Sequence, residues 1–208
     1  NGIKLFFGFF YGQDGSYPVV NRYLDFEEGE LVNGHYLKVN TLPLSSFSQK
    51  YKVTRVLYGW YHDLITNIFS SASQGFEHVS ENTGYFETVK DSNYLEYKLK
   101  YSTAKLISIH DISLIVKLNT DGSIGVGDID KVSSEKLNKV IKTLKRMCFL
   151  LGARVLQFEL TKGHRIDLVL SKEFEPVNKR YLLYKIIDTN LEATNMQFKF
   201  TYLDTDTY

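Results

Sequence analysis

The order of apolar and polar positions divides this chain into elements before composition is considered. Residues 3–10, IKLFFGFF, form an apolar run of strand length. Residues 16–24 read as a short helix, capped by Ser16 and tolerant of Pro18 in its first turn. EEGELVNGHYLKV, residues 27–39, reads as a strand pair turning at Asn33-Gly34, a favoured hairpin dipeptide. TLPLSSFSQ, residues 41–49, contains Pro and Ser and shows no period, so it is the candidate linker. Between Tyr51 and Phe69, the residues Val53, Val56, Leu57, Trp60, Tyr61, Leu64, Ile65 and Ile68 recur at spacings of three and four. That is the signature of an amphipathic helix, weakened only slightly by Gly59 and stopped by SSASQG.

The second half is more regular. A short helix follows Asp91, its candidate N-cap, in DSNYLEYKLKY. Three strand-like runs come next: AKLISI, ISLIVKLN and SIGVGDI. His110-Asp111 separates the first two as a tight turn, and Asn119 to Gly122 separates the last two with a strong Asp-Gly signal. Residues 134–151 give the clearest helix, with Leu137, Val140, Ile141, Leu144, Cys148 and Leu151 on one stripe. Ser133 or Ser134 caps its start and Gly152 its end. RVLQFEL is a buried strand, KGHRIDLVLSK a short helix or turn, RYLLYKII a strand, and MQFKFTY an alternating last strand before a polar tail.

Composition narrows the function classes. A 43% hydrophobic fraction can build a core, and a formal net charge of +1 offers no global field for nucleic acid or anionic membrane. No apolar run reaches the ~20 residues that span a bilayer, so a cytoplasmic protein is expected. The single cysteine, Cys148, excludes an intramolecular disulfide within these residues and a cysteine-based zinc cluster, and it reads as a core hydrophobe. His35, His62 and His78 show no ligand spacing, and His110 and Asp111 point to opposite faces if they lie on a strand, so no metal site is expected.

From residue 91 the order is helix, three antiparallel strands, long helix, strand, short helix and two strands, which is an α/β arrangement with helices on both faces of a mixed sheet. This order resembles the GNAT acyltransferase superfamily, in which the strand before the long helix and the strand after it splay apart to hold acyl-coenzyme A. IKLFFGF, GSYPVVNRYLDF and the strand pair beyond look like the closing module of another GNAT domain. They are similar in order to RVLQFEL, GHRIDLVLSKEF and RYLLYKII. Gly8-Phe9 with Ser16-Tyr17-Pro18, and VKDSNYLEYKL, resemble segments of bacterial tandem-GNAT proteins. The resemblance implies the back part of a first GNAT-like domain in residues 1–42, a linker with its helix in 43–75, and a complete second domain in 76–208. It also implies a fragment of a longer protein.

The same resemblance places the candidate chemistry. GNAT enzymes bind the coenzyme A pyrophosphate on a Gly-rich loop at the start of the long helix, where backbone N–H groups and the macrodipole favour anions. The matching stretch here is DIDKVSSEK, which lacks the glycines and carries Asp128 and Asp130. Lys131, Ser133 and Ser134 are its remaining donors, and an ordinary capped helix start accounts for the same residues. Gly125 and Gly127 read as a strand bulge or close backbone approach, and strand packing explains them equally well. The resemblance puts Val126 and Gly127 where the acyl group lies in the family. For acid–base work the resemblance offers Glu159 as a carboxylate and His164 in the second domain, whose matching helix has no tyrosine. In the partial first domain it offers Tyr17 as the acid protonating a leaving thiolate, its partners on the earlier strands being absent from these residues.

Two functions follow from this. One is an N-acyltransferase using acetyl-coenzyme A or another acyl-coenzyme A, with a sugar or peptide amine as acceptor in envelope or polysaccharide metabolism. The other is a degenerate, non-catalytic GNAT domain that binds substrate or forms a homodimer. A third reading, a peptidyl transferase using aminoacyl-tRNA, needs a basic groove that the net charge does not favour. The missing glycines and added aspartates predict weak or absent binding of acetyl-coenzyme A by these 208 residues.

Overall fold

The computed structural model describes residues 5–11, 16–70, 85–87, 92–101, 104–130, 133–172, 176, 178–187 and 197–201. The expected cap at Asp91, and Lys131 with it, fall outside that set. Two compact units emerge: one made of Asn1–His35, Ser80–Thr88 and Glu159–Phe200, the other of Tyr36–Val79, Val89–Phe158 and Thr201–Tyr208. The divide falls inside two strands, after His35 and after Phe158.

In the first unit, β1 (Leu5–Tyr11) pairs antiparallel along its length with β8 (Asn178–Ile186), and β8 pairs antiparallel with β2 (Glu27–Lys38). In the order β1-β8-β2, β1 stands at the edge. Helix α1 (Ser16–Tyr23) follows β1, and β3 (Tyr85–Glu87) pairs in parallel with β9 (Gln197–Lys199). Leu182, Tyr184, Phe198 and Phe200 form a buried cluster against which Phe9 packs. Phe7 stacks on Phe200 at 4.9 Å between ring centroids.

The expected hairpin at Asn33-Gly34 is absent. β2 runs straight through it, with Val32 opposite Arg180, Asn33 opposite Lys179 and Gly34 opposite Asn178. An Asn-Gly pair favours a turn only when nothing better is offered, and here Asn33 finds a buried partner described below.

In the second unit, α4 (Ser92–Tyr101) precedes an antiparallel meander of β4 (Ala104–Ile109), β5 (Ile112–Leu118) and β6 (Ile124–Ile129). Helix α5 (Ser134–Leu151) then carries the chain over to β7 (Val155–Thr161), which pairs with β6 in parallel. The crossover and the parallel register are the geometry expected from the element order. His110 and Asp111 form the β4–β5 turn with φ of 53° and 62°, the positive values that a two-residue hairpin requires. All six predicted stripe residues of α5 are buried, together with Met147. Burial pushes the Cys148 thiol up to about 12, so it behaves as the core hydrophobe expected.

The supposed linker is structured. Pro43 leads into α2 (Leu44–Ser48), whose Ser45 hydroxyl lies 2.7 Å from the Gly122 carbonyl and 2.9 Å from the Gly152 carbonyl. Both glycines have positive φ, 83° and 65°. A Cβ on Gly152 would sit 2.6 Å from the Leu42 carbonyl oxygen, and one on Gly122 2.4 Å from the Ser46 nitrogen. The segment 42–48 is thus clamped onto the β5–β6 turn and onto the end of α5. Helix α3 (Lys52–Phe69) follows and packs on α5, burying Tyr58, His62, Ile65 and Thr66, while the residues of its apolar stripe other than Ile65 are exposed. The Tyr58 and Tyr61 hydroxyls donate to the carbonyls of Leu151 and Leu150 at 2.7 and 2.9 Å, which serves carbonyls that the helix end leaves without intrahelical donors.

Removing the clamp should be costly. Ser45→Ala is expected to lower stability by about 1–2 kcal/mol, the cost of depriving buried acceptors of a donor. Gly152→Ala should cost more, about 2–4 kcal/mol, because backbone strain and steric overlap act together. Urea denaturation measures both, and a Gly152→Ala midpoint equal to wild type would contradict the clamp.

Candidate functional site

Two neighbourhoods hold the chemistry, one in each unit. The first lies where β6 leads into α5. On β5 the consecutive residues Ile115 and Val116 face Asp128 and Val126 of β6, so Gly127 is an extra residue bulged out of the ladder. The parallel register with β7 covers Ile124 to Val126. Val126 pairs with Phe158 on one side and Val116 on the other. The bulge therefore sits at the end of the parallel register.

Beyond the bulge the polar groups are committed to local structure. The buried Asp128 carboxylate accepts from the Ile129 N–H at 2.8 Å. Ser133 is the N-cap of α5, its hydroxyl accepting from the Lys136 N–H at 3.4 Å, and Ser134 is the exposed first residue of the helix. Glu135 stands in the first turn, exposed and 3.1 Å from the Lys139 ammonium. A pyrophosphate does not fit, because Asp128, Asp130 and Glu135 place like charge around the helix start, and none of the glycines that permit close approach is present there.

The second neighbourhood is a buried polar cluster in the first unit that the sequence reading missed. Asn33 and His35 alternate on β2 and so point to the same face. Both meet Asp167 of α6 (Arg165–Leu170): Asn33 Nδ2 donates to Oδ1 at 3.0 Å, and His35 Nε2 lies 2.7 Å from the same oxygen. The Gly163 N–H donates to the other oxygen at 2.9 Å. Burial would push the Asp167 carboxyl up, yet the hydrogen bonds from His35, Asn33 and Gly163 outweigh it and hold it below its usual value. His35 is fully buried, and its Nδ1 has no hydrogen-bond partner among the described residues. Reading β2 as a single strand would have exposed this pair by its two-residue spacing.

Among the expected acid–base residues, Glu159 and His164 have described contacts of their own. Glu159 is buried on β7 and accepts from Arg180 Nη2 of β8 at 3.2 Å, a buried ion pair. His164 is the N-cap of α6, its Nδ1 accepting from the Ile166 N–H at 3.3 Å, and its backbone N–H donates to the Thr161 carbonyl. Tyr17 lies on α1, with its side chain outside the described set. The described contacts bring neither Glu159 nor His164 together with the other. Among the described residues no group of three or more His, Cys, Asp or Glu is placed to hold a metal ion, and no helix is long and apolar enough to cross a membrane.

Comparison with known proteins adds little at the level of sequence: no family model matches the chain, and no curated protein does. Among solved structures, the chain is similar to a GCN5-related N-acetyltransferase from Kribbella flavida, at 12% identity and a TM-score of 0.47, over 88% of this chain and 43% of that one. It is also similar to a functionally unknown conserved protein from Staphylococcus epidermidis, at 13% identity and a TM-score of 0.40, over 88% of this chain and 73% of that one. The chain thus spans less than half the length of the first of these.

The Asp167 cluster gives a stability test. Asp167→Ala strands the donors of Asn33, His35 and Gly163 in a buried setting and should cost about 3 kcal/mol near neutral pH. Because the folded carboxyl titrates below its unfolded value of ~3.9, the wild type's advantage is present above that pH and lost as pH falls through the folded value. Urea unfolding of both proteins across that range checks it. A difference that stays constant from neutral pH down to acid would contradict the assignment.

Proposed function

We propose that this protein is an acyltransferase of the GNAT type, transferring an acyl group from a coenzyme A thioester to the amine of a sugar or peptide. The observation that carries the reading is the bulge at Gly127, at the end of the parallel register and one loop before the long crossover helix. In the family this is where the acyl group lies. Val126 and Gly127 would hold the thioester arm, with Ser134 and Lys131 at the helix start and with Ser133 only if it leaves its capping bond to the Lys136 N–H. The thioester, when bound, supplies an activated carbonyl for attack by the acceptor nitrogen. Tyr17 would be the leaving-group acid of the partial first domain, not of this bulge. Glu159 and His164 are further acid–base candidates. Glu159 would first have to be released from Arg180, and His164 from its capping bond. A cytoplasmic location and the tandem arrangement belong to the same proposal.

A second reading is favoured by a separate observation. The carboxylates around the start of α5 suit a domain that has given up the nucleotide and kept the fold, for binding acceptor or for association.

Calorimetric titration with acetyl-coenzyme A separates the two. The acyltransferase reading predicts weak but saturable binding, with Kd on the order of 0.1–1 mM, because the arm is held and the pyrophosphate is repelled. Gly127→Val should abolish it by filling the bulge. No heat of binding from a folded protein would support the second reading. Micromolar affinity that survives Gly127→Val and is abolished by Ser133→Asp would overturn the assignment to the bulge and place the ligand on the helix start.

A further inference from the structure

The outward stripe of α3 calls for an occupant. Val53, Val56, Leu57, Trp60, Tyr61, Leu64 and Ile68 are between 38% and 71% exposed. At 100° per residue they occupy an arc of about 140° in which Asn67 is the one polar position. Lys52, Arg55 and Asp63 fall outside it, so the arc contains no charge. The face continues at its N-terminal end, where Tyr51 packs edge-on against Phe47 of α2, both more than half exposed. Seven such side chains offer on the order of 700 Å². That exceeds the largest apolar patch of a typical monomer, ~300–600 Å². It approaches the ~800 Å² that each partner contributes to a standard interface.

The positions along the stripe say what fits it. Val53, Leu57, Trp60 and Leu64 follow the alternating four-and-three spacing of a helix–helix seam. The pattern is also nearly its own reverse. Laid antiparallel about a two-fold axis near Trp60 and Tyr61, Val53 faces Ile68, Leu57 faces Leu64, and Trp60 faces Tyr61. A face that is apolar, free of charge and self-complementary under reversal is the surface that an isologous contact requires. We infer that the protein forms a two-fold homodimer through antiparallel pairing of α3 with α3 of a second copy.

This interface is independent of the acyltransferase reading and stands or falls separately from it. Sedimentation of the 208-residue chain between roughly 1 and 100 μM should show a dimer. Leu57→Lys and Leu64→Lys should each shift it to monomer, with a melting temperature equal to that of wild type diluted to where it too is monomeric, because both side chains are exposed in the single chain. Lys52→Ala, off the arc, should leave the dimer intact. Cysteines at Val53 and Ile68 together should cross-link two copies under oxidation, and a cysteine at Val53 alone should not. Cys148 is buried and should not contribute to the cross-linking. A monomer throughout the concentration range would overturn the inference. So would a dimer indifferent to both lysine substitutions, or cross-linking by the Val53 cysteine alone.

Discussion

The second unit depends on how α5 is returned to the sheet. A parallel neighbour for β6 can be reached only by carrying the chain back along its length, and α5 does this between Ser134 and Leu151. Its end must then turn sharply. Gly152 does so in the left-handed conformation, with its own N–H on Phe149 and the Ala153 N–H on Cys148. Ser45 ties that turn to the one at Gly122, so the end of α5 and the β5–β6 turn are held by one buried hydroxyl.

Much of this was legible in the sequence because local and tertiary preferences agree there. The α5 stripe, its Ser133 cap and its Gly152 stop, the meander and its turns, and the parallel crossover all follow from period, capping and connection rules. Reading failed where tertiary partners overrode local signals. Asn33-Gly34 looks like a turn, but Asp167 lies far away in sequence and keeps β2 straight. The segment 41–49 lacks periodicity because Ser45 and Ser48 are buried by hydrogen bonds and not by apolar contact. Helix α3 shows the limit of the apolar stripe as a guide to burial. Its inner face is fixed by Tyr58 and Tyr61 hydroxyls on the last carbonyls of α5, which leaves the apolar face outside.

The candidate site was legible in part and for a similar reason. Glycine within an otherwise apolar strand signals a bulge, because only a residue without Cβ costs little there, and Gly127 is the extra residue. The loop's composition likewise points away from a pyrophosphate, and Ser133 is spent on capping. The His35, Asn33 and Asp167 cluster could not be seen from residue types alone, since each member is ordinary by itself. Its carboxylate, held ionised by the groups around it, anchors α6 to β2 and so fixes His164, the cap of that helix.

The account rests on the Gly127 bulge being the place where an acylated thiol arm is received, separately from any hold on the nucleotide. Amide nitrogen–proton spectra of the 208-residue chain titrated with S-acetylpantetheine, which carries the arm and no pyrophosphate, test this most directly. The account predicts saturable shifts of the Val126, Gly127 and Asp128 amides. Amides of those three residues that stay unmoved up to the solubility of the ligand, in a folded protein, would contradict it.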